Sequence, residues 1–252
     1  MEVCALASGS SGNCFYVGNG NGGILVDVGI SCRQVYDRLS ARGINPGSIG
    51  GIFLTHEHVD HIRGVDVFAR SLGIPIFAPR GVLKDRFICS KDELLRVLKG
   101  IVKINGLIVE GFSKSHKAVE PVSFSICEGG KRVSVITDVG VVCKNVAKAV
   151  KKSDFLFLES NHDLKMLEEG RYPAFLKKWI SGKDGHLSNE EAAECVLRHG
   201  SKKLKGVVLS HLSENNNAPE VALTTWAKAF YGKKDAPEVF VSTRELGEMF
   251  GV

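Results

Sequence analysis

The chain has 252 residues, of which 44% are hydrophobic and 24% charged, and its formal net charge is +5. This is the composition of an ordinary globular protein, here expected to form a single domain over residues 1–252. No apolar run approaches the roughly 18 residues of a membrane span. The seven cysteines are scattered and odd in number, which argues against a disulfide framework or a zinc ribbon. Residues 1–6 show no secretory pattern, so we expect a cytoplasmic protein.

The first half of the sequence alternates short apolar runs with glycine-rich turns, a pattern that predicts strands. Strands are predicted at residues 3–7, 14–17, 23–29 and 49–55. Helices are predicted at residues 35–42 and 61–72.

The second half repeats this style. Strands are predicted at residues 122–127, 133–138, 155–159, 206–210 and 238–241. Helices are predicted at residues 145–152, 189–199 and 218–230. Two sheets packed face to face, with the helices outside, would bury both the apolar strands and the apolar helix faces, so we expect an α/β fold of this kind.

The strand predicted at 49–55 runs directly into four residues of metal-ligand type, His56, His58, Asp60 and His61. They cannot share one helix face, but in a loop between a strand and a helix they can converge. His56 and His58 would point to one ion, and Asp60 and His61 to a second. Imidazole suits zinc, iron and manganese, and a carboxylate can bind or bridge.

Four further polar residues end or follow apolar strands, namely Asp27, His116, Asp138 and His211. Strand ends are where a rigid scaffold presents ligands. Taken singly, each residue would be explained as a turn, cap or surface residue. Their occurrence together with the histidine cluster predicts a metal site.

This HxHxDH cluster, followed by a separate His, Asp and His, resembles the metallo-β-lactamase superfamily. The resemblance implies an αββα sandwich of two mixed sheets flanked by helices, with two divalent ions at one edge, zinc or manganese, with iron not excluded. It assigns one ion to His56, His58 and His116, the other to Asp60, His61 and His211, and a bridging role to Asp138. Asp27 would support the ligand loop by hydrogen bonding.

A closer resemblance is to the WalJ/YycJ-like group of this superfamily, exonucleases that act on DNA. It is carried by the segments at 8–14, 115–122, 137–138, 159–163, 171–173, 185–189 and 211–217. Lys117 departs from the group's pattern, which has an aspartate there, but Lys117 is not a ligand.

Hydrolysis of a phosphodiester would need an oriented hydroxide and a proton for the leaving group. Asp60 could bind metal and hold the hydroxide. Glu159 and His186 are candidates for the proton donor pair, as in the similar pair of tRNA-maturing ribonucleases of this superfamily. The alternative is that Glu159 caps a loop and His186 lies at the start of a helix capped by Ser188.

Substrate contacts are expected from Ser10, Asn13, His162 and Asn215. For the loop 8–13, phosphate binding through backbone N–H groups and a simple tight turn remain equal alternatives. Residues 215–217 could likewise contact substrate or only form a turn.

Together these features predict a two-metal-dependent hydrolase, a phosphodiesterase or exonuclease with nucleic acid, DNA in particular, as its substrate. The alternatives are hydrolysis of a small ester, lactone, thioester or cyclic phosphodiester, and a non-catalytic metal-binding module, which the complete ligand set disfavours.

The segment between Asp138 and His211 is too short for the inserted domain of β-CASP nucleases. That between His116 and Asp138 is too short for the RNA-gripping arm of tRNA-maturing relatives. No membrane or protein partner is implied; DNA versus RNA, digestion polarity, metal identity and oligomeric state stay open.

Overall fold

A computed structural model describes residues 1–252 and contains two seven-stranded mixed sheets. The first sheet has the strand order β14-β1-β2-β3-β4-β5-β6 and is built from β1 (Glu2–Ala7), β2 (Cys14–Asn19), β3 (Gly22–Val26), β4 (Ile49–Phe53), β5 (Ile76–Ala78), β6 (Leu95–Val97) and β14 (Met249–Gly251). The second has the order β13-β12-β11-β10-β9-β8-β7 and is built from β7 (Ile101–Ile104), β8 (Leu107–Ser113), β9 (Val122–Glu128), β10 (Lys131–Ile136), β11 (Phe155–Glu159), β12 (Gly206–Ser210) and β13 (Glu238–Val241).

Nine α-helices accompany the sheets. They are α1 (Cys32–Ala41), α2 (Val59–Ile62), α3 (Val65–Leu72), α4 (Arg80–Asp85), α5 (Lys144–Lys152), α6 (Leu164–Glu169), α7 (Ala174–Ile180), α8 (Asn189–His199) and α9 (Pro219–Ala229). None of them is long and apolar enough to cross a membrane.

Three apolar layers hold the sheets and helices together. Between the sheets, Phe15 and Phe53 of the first sheet share one buried cluster with Phe124 and Phe157 of the second. A second cluster packs α1 and α3 on the outer face of the first sheet, and a third packs α5, α8 and α9 on the outer face of the second. The expected αββα sandwich is therefore confirmed.

The predicted continuous helix at 61–72 was wrong, because the chain forms α2 and α3 with a break at Gly64. The Gly64 N–H donates to the carbonyl of Val28 at 2.8 Å, and a Cβ at Gly64 would lie 2.1 Å from the carbonyl oxygen of Ile30. The backbone there presses against the loop after β3, which leaves no room for a side chain. Strands β5–β8 and β14 and helices α4, α6 and α7 were not predicted from the sequence.

The two sheets have matching designs. In each, three antiparallel pairings on one side give way to four parallel strands on the other, β3–β6 in the first sheet and β10–β13 in the second. The carboxyl ends of parallel strands meet at one edge of a sheet, so the loops after β3, β4, β10, β11 and β12 gather there. The loop after β8 joins them, because β8 and β10 both run antiparallel to β9 and so point the same way.

Candidate active site

All seven predicted metal ligands converge where these loops meet. The candidate ligand atoms of His56, His58 and His116 lie within 4.8 Å of one another, and so do those of Asp60, His61 and His211. In the first group, His56 Nε2 is 3.0 Å from His58 Nδ1. The chain thus assembles two neighbouring ligand groups from residues that the sequence separates widely.

Asp138 lies between the two groups. Its Oδ2 is 3.2 Å from His61 Nε2, and its Oδ1 is 3.8 Å from His116 Nε2 and 3.6 Å from His211 Nε2. One carboxylate therefore faces ligand nitrogens of both groups, the geometry of a bridging ligand.

The chemistry of the cluster fits divalent cations. His116 Nε2, His211 Nε2 and Asp138 Oδ2 are buried and have no hydrogen-bond partner in the protein. Buried polar atoms without a partner are rare because leaving them unsatisfied costs free energy. Imidazole nitrogens and a carboxylate oxygen facing one space are the donor set that zinc and similar ions prefer.

Asp27 orients the segment with the candidate ligands through hydrogen bonds of its carboxylate. The Thr55 N–H donates to Asp27 Oδ1 at 2.8 Å, and the Thr55 hydroxyl and His61 Nδ1 each approach Asp27 Oδ2 at 2.7 Å. His56 Nδ1 lies 2.9 Å from the Thr55 oxygen. With both Nδ1 atoms held by oxygen acceptors, Nε2 is the atom of His61 and of His56 that remains available to a metal ion.

The histidines on the second sheet are oriented in the same way. His116 Nδ1 lies 3.1 Å from the carbonyl oxygen of Gly185, and His211 Nδ1 lies 3.0 Å from Glu159 Oε1. The backbone N–H of His211 donates to Ser8 Oγ at 2.8 Å. Both rings again present Nε2 to the cluster.

Glu159, at the end of β11, is fully buried and links several segments of the site. Its carboxylate accepts hydrogen bonds at 2.8–3.1 Å from the backbone N–H groups of Asp138, Val139 and Leu187 and from Nδ1 of His186 and His211. Burial alone would raise the pKa of Glu159, but the bonded His186 and His211 outweigh it and lower this pKa to about 2. Glu159 thus supports both the candidate ligand framework and the side chain of His186.

Carboxylates dominate the electrostatics of the second ligand group. Burial would lower the pKa of His211, yet Asp138, Asp60 and Glu159 raise it to about 10, and Asp138 and Asp60 likewise hold the pKa of His61 well above its usual range. In the first group, burial lowers the pKa of His116 to about 4. His61 and His211 therefore hold their protons more firmly than His56 and His116 do, and a cation binding to the second group must displace them.

Three site residues adopt a left-handed backbone conformation that is uncommon outside glycine. They are Asp27 (φ 59°), Asp138 (φ 55°) and His211 (φ 56°), and each follows a buried strand. Such strain costs of order 1 kcal/mol or more per residue and is typical of functional sites. Here it turns the chain sharply, so that the side chain stays at the sheet edge.

The loop 8–13 is both a tight turn and a brace for the site. The Gly12 N–H donates to the carbonyl of Gly9 at 3.0 Å, which closes the turn. Asn13 is buried, and its Nδ2 lies 3.3 Å from Asp60 Oδ2 and 3.2 Å from His61 Nε2. Ser10 is exposed at the tip of the loop. Asn13 therefore contacts two candidate ligands rather than facing open solvent.

The other two expected substrate residues are placed differently. His162 is fully buried, with both ring nitrogens unpartnered, and burial lowers its pKa to about 4. Its side chain has no exposed surface in this structure, and a contact with substrate stays a prediction. Asn215 donates through Nδ2 to the Tyr172 hydroxyl at 2.8 Å. This bond connects the loop after His211 to the segment before α7.

The two sequence interpretations of the segment 185–189 are compatible. Ser188 is the N-cap of α8 and forms a reciprocal capping box with Glu191. His186, two residues earlier, lies with Nδ1 2.9 Å from Glu159 Oε1 and with its ring 5.2 Å from the rings of both His116 and His211. The capped helix fixes the position of the histidine.

Sequence reasoning missed three supporting residues. Thr55 carries the link from Asp27 to His56, and Asn161 donates through Nδ2 to the His211 carbonyl at 2.8 Å. Lys114 is buried, its Nζ donates to the carbonyl of Thr137 at 2.7 Å, and burial lowers its pKa. Thr55 directly precedes the histidine cluster and Asn161 lies within the segment 159–163 already singled out, whereas no sequence pattern marks a buried lysine.

Comparison with known proteins gives consistent matches. A family model described as the metallo-beta-lactamase superfamily matches residues 7–142. The chain is 36% identical over 227 residues to the exodeoxyribonuclease YycJ of Bacillus anthracis, covering 88% of this chain and 86% of that protein. It is also 36% identical over 232 residues to the exodeoxyribonuclease WalJ of Streptococcus pneumoniae, covering 89% and 86%.

Among solved structures, the chain is similar to Zn²⁺-bound PqqB from Methylobacterium extorquens, with a TM-score of 0.74 over the full length of both chains at 16% identity. The metallo-beta-lactamase fold protein YhfI from Bacillus subtilis gives a TM-score of 0.73 at 13% identity, over 99% of each chain. At such low identity this likeness concerns the fold alone.

Proposed function

The chain belongs to the metallo-β-lactamase superfamily, within the group of YycJ and WalJ, and on this premise we propose that it is a metal-dependent exonuclease acting on DNA. The observation that carries the proposal is the cluster of seven ligand-type side chains with the Glu159–His186 pair beside it. Both curated relatives are named exodeoxyribonucleases.

The residues fit two divalent cations, zinc or manganese. His56, His58 and His116 would hold one, Asp60, His61 and His211 the other, and Asp138 would contact both. Such ions, when bound, supply Lewis acidity that lowers the pKa of water and takes up charge on a phosphoryl oxygen.

Asp60 is the ligand best placed to orient the attacking hydroxide. Its side chain is 22% exposed, whereas those of His61 and His211 are almost fully buried. Asn13 Nδ2, 3.3 Å from Asp60 Oδ2, fixes the carboxylate from the protein side. An anchored carboxylate at the solvent boundary can accept a hydrogen bond from the nucleophile and hold it toward the phosphorus.

His186 is the proposed proton donor to the leaving alkoxide. Its Nδ1 is held by Glu159 at 2.9 Å and its Nε2 makes no hydrogen bond within the protein, so Nε2 is the nitrogen that can give a proton to the substrate. The side chain is 12% exposed, against 0% for Glu159. Glu159 therefore orients the ring without meeting the substrate.

The direct test is digestion of DNA and RNA by the pure protein reloaded with manganese or zinc. Single- and double-stranded substrates carry a label at the 5′ or the 3′ end. We expect stepwise removal of nucleotides from DNA ends, which chelation abolishes. Absence of cleavage of any nucleic acid, with turnover of a lactone or thioester instead, would replace this proposal with a small-molecule hydrolase.

The proton-donor role has its own test. His186→Ala should slow hydrolysis of DNA by about 10²-fold, yet leave a nitrophenyl phosphodiester nearly unaffected because nitrophenolate departs without a proton. His199→Ala, at the end of α8, is the matched control. Equal losses on both substrates would show that His186 binds substrate or supports the fold instead.

A further inference from the structure

A stripe of lysines runs along the exposed face of α5. Lys144, Lys148, Lys151 and Lys152 are all exposed, whereas Val146 and Val150 on the opposite face are buried. Residues spaced by four, seven and eight positions lie on one side of a helix. No acidic residue occurs in α5, so the four positive charges of this α5 stripe have no counterion within the helix.

The stripe leads into a basic depression at the opposite end of the sheet from the metal-ligand cluster. This depression has a volume of about 810 Å³, and seven of its eleven lining residues are cationic. Besides lysines of α5, they include Lys131, Arg132 and Lys203. The one acid in its wall, Asp154, accepts a hydrogen bond from the backbone N–H of Arg132 at 2.9 Å.

Helix stability does not explain this arrangement. Lysines in the last turn of a helix are favoured by its dipole, which accounts for Lys151 and Lys152. Lys144 occupies the first position of α5, where a cation is disfavoured, and Lys148 is in the middle. Of the cations lining the depression, only Arg132 and Lys202 form ion pairs, with Glu110 at 3.5 Å and Asp235 at 3.6 Å. Unpaired like charges repel one another, so an external polyanion is the complementary partner.

The stripe begins beside the ligand cluster. The Asn145 side chain donates to Ser113 Oγ at 2.9 Å, and the Gly140 N–H donates to the carbonyl of Ser115 at 2.7 Å. These contacts tie the start of α5 to the loop that presents His116. From Lys144 to Lys152 the helix rises about 12 Å, and from Arg132 along β10 to Asp138 the chain spans about 20 Å.

We propose that the α5 stripe and the basic depression form a track for the phosphate backbone of DNA whose end lies at the ligand cluster. A span of about 20 Å corresponds to about 6 base pairs of duplex, at 3.4 Å each along a strand. The track contributes affinity that does not depend on base sequence, and only for DNA long enough to reach it. This inference rests on the proposed nuclease function.

The test compares two triple variants that carry the same change in charge. The first variant reverses the charge of three track lysines and is Lys148→Glu/Lys151→Glu/Lys152→Glu. The second reverses the charge of three exposed lysines in and near β6 and β7 and is Lys91→Glu/Lys99→Glu/Lys103→Glu. Binding of a fluorescein-labelled duplex is measured by anisotropy over a range of salt. The track variant should bind about 10²-fold more weakly, and its salt slope should fall by about 3, at roughly 0.9 per lost phosphate contact.

Turnover separates this inference from the proposed function. Both variants should hydrolyse a nitrophenyl phosphodiester, too small to reach α5, at the wild-type rate. The track variant alone should lose kcat/KM on long DNA. If wild type cleaves DNA and the two variants behave alike, the track is overturned while the nuclease stands; if wild type cleaves no DNA, the proposed function fails first. Track-dependent binding of phosphatidylglycerol vesicles with unchanged DNA affinity would overturn the track in favour of a membrane surface.

Discussion

The two sheets present the candidate ligands at the same edge in different ways. The first sheet supplies His56, His58, Asp60 and His61 from one short segment after β4, which includes α2, and Asp27, directly after β3, supports this segment. The second sheet supplies His116, Asp138 and His211 from three separate loops, connected through Glu159 at the end of β11. Each sheet thus uses one buried carboxylate to position its ligands.

The two carboxylates differ in what they connect. The Asp27 carboxylate accepts hydrogen bonds only from Thr55 and His61, which are six residues apart. Glu159 joins segments around residues 138, 186 and 211, which approach one another only in the folded protein. A local loop keeps part of its shape without its support, whereas distant segments depend on their common acceptor. The comparison therefore predicts that Glu159 matters more to the integrity of the site than Asp27.

Removal of Glu159 is expected to have the largest effect. Glu159→Ala leaves three backbone N–H groups and two histidines without their acceptor, so the free energy of unfolding of the metal-free protein should fall by about 3–5 kcal/mol. Urea denaturation measures this loss. Glu190→Ala, in the exposed first turn of α8, is the control and should change little. A Glu159→Ala protein as stable as the control would remove the distinction between the two sheets.

Asp60→Asn should separate catalysis from ligand support. The amide keeps the size of the side chain and its contact with Asn13 but loses the charge that orients the nucleophile and helps to bind the second ion, so turnover is measured at saturating metal with the ion content checked. We expect kcat on DNA to fall by about 10²-fold with the unfolding midpoint nearly unchanged. Near-normal turnover would show that Asp60 does not hold the nucleophile.

Asp27→Asn should produce a smaller and more local loss. The amide can still accept the Thr55 N–H but accepts the His61 proton poorly, so metal affinity should fall by about 10- to 100-fold. Metal titration against a competing chelator measures the change, with Asp66→Asn on α3 as the control. A loss of stability equal to that of Glu159→Ala would mean that both carboxylates act on the whole fold.

The last of these predictions concerns pH. Since the pKa of His211 is raised from 6.5 to about 10, its proton stabilises the metal-free protein fully below pH 6.5, and this stabilisation is lost as pH rises toward 10. The melting temperature of chelated protein should therefore decline over this range. Metal-loaded protein should resist the decline because the cation replaces the proton. Parallel pH profiles for the two forms would contradict this account of the second ligand group.

The same contrast explains what the sequence could predict. The candidate ligands of the first sheet lie within six residues of sequence, so the cluster from His56 to His61 could be recognised directly. The strand-end positions of Asp138 and His211 were predicted from the apolar runs before them. Glu159 was predicted only as a partner of His186, because its bonds to Asp138, Val139 and His211 depend on tertiary packing. For the same reason the break between α2 and α3 at Gly64 was not predicted. It arises because the carbonyl oxygen of Ile30 comes too close to Gly64 for a side chain there.

The central claim, that seven converging side chains hold two catalytic cations, is tested most directly by counting metal ions per chain in reloaded protein together with activity. Wild type should bind two ions, and exhaustive chelation should abolish DNA cleavage. His56→Ala should lose the ion of the first group and with it the activity. A chelated protein that remains folded and fully active would contradict the account.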